Sequence, residues 1–221
     1  MWREIVVLLL IGSLIGLAVL WYGTTDIKVT DGISLLTGSR SGLVEDNRSY
    51  AIPRSFNRPE GAVFTYTAWV LVNDFTVGYN TLRRIFSKGD CPGLYINETN
   101  SLVVKIDTFG DIQTIVIPNI PASKWLHIAI VVDQRSVDVY INGIIRKHQE
   151  LTQLPQQNES NVITGPGWDG VIGNLTYYTR ALSTAEVQSL SSMQPPDDLK
   201  PKIGRGNFFD KTWYVGRLNS S

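Results

Sequence analysis

The residues that most often carry out chemistry in proteins are scarce in this chain. The two histidines, His127 and His148, fall on different predicted strands, and the single cysteine, Cys91, stands between Asp90 and Pro92 with no evident base beside it. Zinc sites need several Cys or His ligands at close spacing, and one cysteine forms no internal disulfide. The sequence therefore predicts no zinc site. It predicts a packed or hydrogen-bonded His127 and a loop thiol at Cys91.

Asparagines in the acceptor pattern for N-glycosylation could receive a modification. The pattern Asn-x-Ser/Thr occurs at Asn47, Asn97, Asn158, Asn174 and Asn219. Such a site matters only if the domain enters a secretory lumen. Asn174 lies in a predicted strand and is the one of the five most expected to stay unmodified. The candidates for modification are Asn47, Asn97 and Asn158.

The overall composition indicates one well-packed domain and excludes a polyanion-binding protein. The chain has 221 residues, 43% hydrophobic and 18% charged, which suits a single β-sandwich with a sizeable core. Twenty Lys and Arg balance twenty Asp and Glu. Because nucleic-acid-binding domains carry a basic excess, we expect no nucleic-acid partner.

The N-terminus carries a long apolar segment. Residues 5–22 contain no charged side chain, and a helix of that length, about 27 Å, suffices to cross a bilayer. Trp2 at one end and Trp21 with Tyr22 at the other are expected at the membrane interface. A cleaved signal peptide is the alternative, but its apolar region is shorter and ends in small residues. We therefore expect an uncleaved single-pass anchor at residues 1–23.

The body of the chain has the alternating pattern of short strands separated by turn residues. In residues 64–72, side chains alternate between two faces that are both partly apolar. Spacing of roughly ten residues between strands indicates an antiparallel sandwich or barrel. The predicted strands are 64–72, 84–87, 94–97, 102–107, 112–117, 125–132, 137–141, 144–148 and 171–178.

One helix and an aromatic tail complete the predicted elements. Ser183 and Glu186 have the spacing of a capping box, which begins a helix at 183–190. The Pro-Pro pair after Gln194 should end the sandwich near residue 193. Residues 194–221 form an extended tail whose aromatics, too many for a solvated segment, are expected to contact protein on this domain or on a neighbour: Phe208, Phe209, Trp213 and Tyr214.

Several stretches of the sequence resemble a known family. These are residues 124–133 (KWLHIAIVVD), 137–143 (VDVYING) and 170–186 (GVIGNLTYYTRALSTAE), with the early strand around Trp69 and residues 85–89 (IFSKG). They are similar to laminin-G-like jelly rolls of the concanavalin A-like lectin/glucanase superfamily. The resemblance covers residues 49–193 and implies an all-β, antiparallel jelly-roll sandwich, preceded by an anchor and a membrane-proximal linker at 24–48.

The family resemblance raises calcium binding and glycoside hydrolysis. Some laminin-G-like domains hold calcium at the rim of the sandwich, and Asp90, Asp107, Asp111 and Asp169 are the weak candidates here, although loop capping explains each equally well. The hydrolases of the superfamily place catalytic acids at alternate positions of one strand. This chain has no two acids at i and i+2. The sequence therefore predicts a non-catalytic domain with no required cofactor.

Three functions fit these features to different degrees. The tethered arrangement resembles membrane-anchored proteins of large DNA viruses of algae and protists. That resemblance implies a structural virion component that links an internal membrane to the protein shell. The alternative is a cell-surface carbohydrate-binding adhesion module, which would show exposed aromatic platforms and an amide or acid cluster at one rim. A glycoside hydrolase is the third. Trp69, Trp125 and Tyr140 are predicted to be mostly buried.

Overall fold

The computed structural model describes residues 2–23, 27–48, 52–58 and 61–196. For residues 3–5, 8, 18–23, 48, 56 and 57 it describes the backbone but not the side chain. Helix α1 spans Trp2–Gly23 and helix α2 spans Thr184–Ser191. Thirteen strands lie between the helices. They are β1 Ile33–Ser41, β2 Asp46–Arg48, β3 Phe56–Arg58, β4 Gly61–Val72, β5 Arg83–Ser87, β6 Gly93–Ile96, β7 Leu102–Ile106, β8 Gln113–Ile117, β9 Trp125–Asp133, β10 Ser136–Ile141, β11 Ile144–Glu150, β12 Val162–Thr164 and β13 Gly170–Tyr178.

The strands form two antiparallel sheets packed face to face. Sheet A has the order β1-β13-β4-β9-β10-β11, with β3 paired to β4, and sheet B has the order β2-β12-β5-β6-β7-β8. Neighbours in the sheets are often distant in sequence, as where β1 pairs with β13 and β2 with β12. The described strands therefore confirm the predicted all-β antiparallel sandwich, whose two layers fit a jelly roll.

The nine predicted strands are present within one to three residues, but four strands were not predicted. Residues 24–48 were expected to be a linker, and this is wrong for 33–48, because β1 and β2 extend both sheets there. β1 carries Gly38 and register shifts between Ser34 and Leu36 and between Leu36 and Ser39. Such irregularities disturb the alternation of side chains from which a strand is predicted.

The main core lies between the two sheets. From sheet A it takes alternate residues of β4, such as Phe64 and Tyr66, and from sheet B it takes fully buried aliphatic side chains such as Ile85 and Leu94. Trp168, in the loop before β13, is the largest side chain that is fully buried. The turn between β10 and β11 is an Asn142-Gly143 hairpin, in which both residues have positive φ, 51° and 76°.

Helix α2 covers part of the outer face of sheet A. Val187 and Leu190 of the helix pack with Tyr140 and Tyr178 of the sheet in a second apolar cluster. The predicted capping box is present, with the Ser183 hydroxyl accepting from the Glu186 amide and the Glu186 carboxylate accepting from the Ser183 amide. Both faces of sheet A are thus buried where α2 lies.

Two ion pairs of Arg180 fix α2 and the segment before β1 to the sandwich. The Arg180 guanidinium lies 2.6 Å from a carboxylate oxygen of Glu186 and 2.6 Å from one of Asp31. The hydrogen bonds that Arg180 donates hold the pKa of Glu186 at about 2, well below its ordinary value. The contact with Asp31 ties the segment before β1 to the segment before α2.

The three aromatic residues predicted to be mostly buried differ in how completely they are covered. Trp69 and Tyr140 are buried, at 9% and 3% exposure. Trp125 has intermediate exposure, on the outer face of sheet A, where its ring meets that of Trp69 edge-on with centroids 6.5 Å apart. Trp125 is therefore mostly buried, as predicted, but it is less completely covered than Trp69 and Tyr140.

Helix α1 coincides with the predicted anchor segment. Counting only the residues that are described, the chain contains no helix both long and apolar enough to cross a membrane. The predicted span at 5–22 is thus not confirmed and stays a prediction. Trp2 is 85% exposed, whereas the side chains of Trp21 and Tyr22 and the whole of residues 197–221, with Phe208, Phe209, Trp213 and Tyr214, lie outside the described residues.

Candidate functional site

A cavity of about 700 Å³ opens at the end of the sandwich where β4 begins. Four parts of the chain surround it: the segment that leads into β3 and β4, the turn after β5, the loop after β7, and the loop between β11 and β12. Its lining consists of an aromatic side, a polar loop and a set of charged groups.

The aromatic side of the cavity belongs to sheet A. Tyr66 of β4 stands at the centre, with its ring centroid 4.9 Å from that of Tyr177 and 5.9 Å from that of Phe64. The Tyr177 hydroxyl donates to the Pro53 carbonyl at 3.1 Å, which fixes the segment before β3. Burial raises the pKa of Tyr177 to about 12, so its phenol stays protonated and able to donate at neutral pH.

The polar side is the loop between β11 and β12, and side chains anchor it at two points. The Asn158 amide nitrogen donates to the carbonyls of Lys88 and Gly89 at 3.0 and 3.2 Å, and the Lys88 ammonium donates back to the Asn158 carbonyl. The Gln157 amide donates to the Ser55 hydroxyl. The loop is therefore held against both neighbouring segments, so its outward-facing groups have defined positions.

Phe109 stands exposed beside this polar loop. Its side chain is 69% exposed although its backbone amide is fixed, donating to the Leu154 carbonyl at 3.0 Å. Gln157 and Glu159 are exposed in the same cavity lining. A flat apolar ring next to an amide and a carboxylate can contact the apolar face of a sugar and bond its hydroxyls at the same time.

Cations outnumber acids in the lining. Arg54, Arg58 and Lys88 line the cavity, and Glu159 is the one acid among its described lining residues. Arg58 lies 3.6 Å from Asp133, with more than half of the arginine side chain exposed. Desolvation lowers the pKa of Lys88, because this ammonium is held by neutral oxygens in a partly buried place.

The four predicted calcium ligands do not converge. Asp169 lies at the end of β4 that is away from the cavity, where its carboxylate accepts from the Asn73 amide at 2.8 Å. Asp90 lies near the cavity, and its carboxylate accepts from the Tyr95 hydroxyl. Asp107 donates its backbone amide to the Asp90 carbonyl, and the Asp111 carbonyl accepts from Thr108. Within the part of the chain that is described, no three His, Cys, Asp or Glu side chains form a group that could hold a metal.

The asparagine acceptors differ in how their side chains are engaged. Asn47 is exposed on β2, where its oxygen accepts from Asn161 at 3.1 Å. The Asn97 oxygen accepts from Thr99 and Ser101 in a turn. The Asn158 amide nitrogen, the atom that glycosylation would use, already donates twice to the Lys88 turn. Asn174 is partly buried on β13 with its oxygen bonded to Gly38, and Asn219 lies outside the described residues.

Cys91 and His127 are both buried, and burial moves the pKa of each side chain away from its ordinary value. Cys91 lies in the turn after β5, as expected, but it is buried against the core, and burial raises its pKa to about 12. His127 is buried beside Trp69, with ring centroids 5.1 Å apart, and burial lowers its pKa to about 4. His127 is thus the packed strand residue that was predicted. His148 is exposed and lies 2.6 Å from Asp138.

None of the cavity residues Phe109, Gln157 and Glu159 was singled out from the sequence. The available signals were an aromatic residue before a glycine in the turn after β7 and the polar run 156–160 in a long loop. Either feature is common in surface loops, so neither indicates a site until the fold brings the two together.

The opposite end of the sandwich carries an apolar rim. Three loops meet there, since a Cβ at Gly78 would lie 2.3 Å from the Gly167 carbonyl and one at Gly165 would lie 2.5 Å from the Val44 carbonyl. Large apolar side chains on these loops are 37 to 63% exposed. The rim is defined by Leu43, Val44, Val77, Tyr79 and Leu82.

Comparison with known proteins agrees with this architecture. Residues 45–188 match a laminin-G-type family model described as the concanavalin A-like lectin/glucanases superfamily. Similar solved structures include the receptor-binding domain of botulinum neurotoxin D, with a TM-score of 0.56 and 12% identity over 74% of this chain and 46% of that one. The binding domain of botulinum neurotoxin DC in complex with SialylT has a TM-score of 0.53 and 14% identity over 73% and 51%.

A third similar structure is that of botulinum neurotoxin type C, described by its dependence for cell entry on interaction with two ganglioside molecules. It has a TM-score of 0.53 and 15% identity over 73% of this chain and 50% of that chain. At these identities the likeness shows the fold alone. The chain spans about half the length of the toxin domains that it matches.

Proposed function

The chain belongs to the concanavalin A-like lectin/glucanases superfamily, and from this premise we propose that its sandwich is a non-catalytic module that binds carbohydrate in the cavity beside Phe109. One observation carries the proposal: an exposed aromatic ring and an amide and acid cluster, Gln157 to Glu159, line the same cavity. This is the combination that a sugar site requires, and it favours the adhesion module over the structural virion component.

The fold comparison supports the same class of function. The similar toxin domains are described as binding gangliosides, SialylT or rat synaptotagmin II. Receptor-binding domains that contain a sandwich of this architecture therefore have glycan or protein partners. For the present chain, the glycan is favoured because the cavity is concave and rich in polar groups with fixed backbones.

The presence of a single acid, Glu159, in the described cavity lining supports a binding role over hydrolysis. A glycosidase of the usual kind needs two carboxyl groups that flank the scissile bond, about 5 to 9.5 Å apart. Glu159 is exposed, and no second carboxylate occurs among the described lining residues. The cavity can therefore hold a sugar, but its described lining supplies only one of the two carboxyl groups that hydrolysis needs.

The test of this proposal is the Phe109→Ala variant. We expect it to lose about tenfold in affinity for the best ligand found on a glycan array, because an aromatic contact contributes roughly 0.5 to 1.5 kcal/mol beyond its buried area. Isothermal titration measures the affinity. Tyr79→Ala is the matched control, since Tyr79 is an equally exposed aromatic residue, at 62%, on the rim at the opposite end.

The outcome of these titrations decides the location as well as the activity. A wild-type protein that binds no glycan would contradict the proposal outright. An unchanged affinity in Phe109→Ala together with a loss in Tyr79→Ala would move the binding site to the apolar rim.

A tether is the second candidate function, and two observations favour it. Helix α1 carries large apolar side chains that are 48 to 69% exposed and are not part of either core cluster: Val6, Val7, Leu9, Leu10, Ile11, Leu14, Ile15 and Leu17. The chain enters the sandwich near Tyr177, at the cavity end, so the apolar rim lies at the far end of the domain. We propose that residues 5–22 hold the chain in a bilayer while the rim contacts protein.

Deletion of residues 2–23 tests the tether. The full-length chain is expected to stay in membrane pellets after washes with carbonate and high salt, because these washes strip proteins that are only peripherally bound. The deleted form is expected in the soluble fraction with its sandwich folded, as judged by circular dichroism. Release of the full-length chain by the washes would refute the anchor, and with it the virion tether.

A further inference from the structure

The charged groups of the cavity indicate which kind of sugar it accepts. We infer that the ligand carries an anionic group, a carboxylate or a sulfate, that is recognised by Arg54, Arg58 and Lys88; this inference rests on the proposed carbohydrate-binding function. The chain as a whole has twenty basic and twenty acidic residues, whereas the described cavity lining has three basic residues and one acidic one. The local excess is therefore a property of this site and not of a generally basic surface.

Arg54 is the most available of the three cations. Its side chain is exposed at the mouth of the cavity, next to Pro53, and it makes no hydrogen bond or ion pair with the part of the chain that is described. A guanidinium presents five donors in a planar fork, and two of them match the two oxygens of a carboxylate or sulfate. Because the preceding residue is fixed by the Tyr177 hydroxyl, the backbone of Arg54 starts from a defined position.

Arg58 reaches the same cavity from the next strand. Its one described partner is Asp133, at 3.6 Å, and this pair is largely exposed, at 59% and 37% for the two side chains. An exposed pair at such a distance contributes little to stability. Most of the donors of this guanidinium therefore remain available to an anion in the cavity.

Lys88 supplies the third positive charge from the inner wall. Its ammonium contacts the Asn158 carbonyl and, at 3.4 Å, the Asn158 side-chain oxygen, and both of these partners are neutral. Partial desolvation is costly for a cation, and an anionic ligand would add a further opposite charge to that of Glu159, which already favours the charged form of Lys88. Lys88 thus favours an anion in the cavity even though its donors are partly used.

Glu159 allows the inference to be tested by the direction in which a substitution changes the affinity for an anionic sugar. It is the one described acid of the lining, and its charge must repel an anionic sugar while its oxygens remain good acceptors for hydroxyl groups. Glu159→Gln keeps the size and an acceptor oxygen but removes the charge. This variant should therefore bind an anionic sugar more tightly, whereas a neutral sugar gains nothing from the change.

The size and the aromatic side of the cavity distinguish a sugar from a free ion. A volume of about 700 Å³ suits a ligand of several rings or groups, and a single sulfate would leave most of it empty. Phe109 offers a surface that a small ion does not use. The anionic group is thus expected to be one part of a larger, partly apolar ligand.

The experiment compares 3′-sialyllactose, 3′-sulfolactose and lactose by titration with the full chain. We expect at least one of the two anionic sugars to bind about tenfold or more tightly than lactose, and raising the salt concentration to weaken that preference. Arg54→Gln should lose about tenfold for the anionic sugar, and Glu159→Gln should gain about two- to fivefold. Arg146→Gln is the control, because Arg146 is exposed on β11 outside the cavity.

The possible results separate this inference from the proposed function. Equal binding of lactose and both anionic sugars, still dependent on Phe109, would overturn the anionic inference and leave carbohydrate binding standing. Displacement of the sugar by inorganic sulfate at equal concentration would also overturn it, since the cavity would then be a simple ion site. Absence of binding to every glycan tested would overturn both.

Discussion

Replacing Trp168 by alanine is expected to lower the free energy of unfolding by about 3 to 5 kcal/mol, a large share of the total stability of such a domain. Trp168 is fully buried and is the largest such side chain. Its ring lies directly against two backbone segments, since a Cβ at Gly42 or Gly170 would come within 2.3 Å of ring atoms. Because hydrogen-bonded backbone relaxes little, much of the space that alanine leaves would remain a cavity.

Chemical denaturation followed by circular dichroism measures this loss. Trp125→Ala is the matched control, because Trp125 is partly exposed on the outer face and is expected to cost clearly less. Trp168→Phe should retain much of the stability, since the indole nitrogen has no hydrogen-bond partner among the described residues. Equal denaturation midpoints for the wild type and Trp168→Ala would show that the loop containing Trp168 is not part of the cooperative core.

Replacing Arg83 by methionine is expected to cost roughly 3 to 5 kcal/mol, because several partly buried carbonyl groups would lose a common, buried donor. Arg83 is 1% exposed, and its guanidinium donates to the carbonyls of Phe75 at 3.1 Å, Val77 at 3.3 Å and Asn97 at 2.7 Å. These bonds hold the loop between β4 and β5 and link it to the turn between β6 and β7. Methionine fills much of the same volume, so the loss reports on hydrogen bonding and not on a cavity.

Limited proteolysis complements denaturation for Arg83→Met. The loop at residues 73–82 should be cut faster in this variant than in the wild type, because its carbonyls are no longer held. Arg146→Met, at an exposed position of β11, is the control and should change neither the midpoint nor the cleavage rate. A resistant loop with unchanged stability would refute the structural role of Arg83.

Most of the fold could be predicted because its signals are local. Alternation of apolar and polar residues placed nine strands, and the Ser183-Glu186 pair placed the start of α2. β12, only three residues long at Val162–Thr164, was missed because so short a segment shows no periodicity. β1 was missed because its bulges and Gly38 interrupt the alternation.

The candidate site could not be predicted in the same way. The predicted calcium ligands were chosen because acids near glycine are common at the rim of this fold, but the sheets place Asp169 and Asp90 at opposite ends. The tail aromatics, Phe208 to Tyr214, remain predictions outside the described residues. A sugar site was expected to need an exposed aromatic ring beside an amide and acid cluster. The cavity has such a group, but the sequence did not identify its residues.

The sequence by itself determined nine of the strand segments, the helix cap, the family and the absence of a close acid pair on one strand. Each of these depends on neighbours within a few positions, where backbone geometry fixes which side chains share a face. Only the tertiary structure decided that one cavity is lined by Arg54, Lys88, Phe109, Glu159 and Tyr177, and that Cys91 is buried while Trp125 keeps some exposure. The pairing of strands distant in sequence brings such residues together, and the covering of a face by another element sets their exposure, so no local pattern encodes either result.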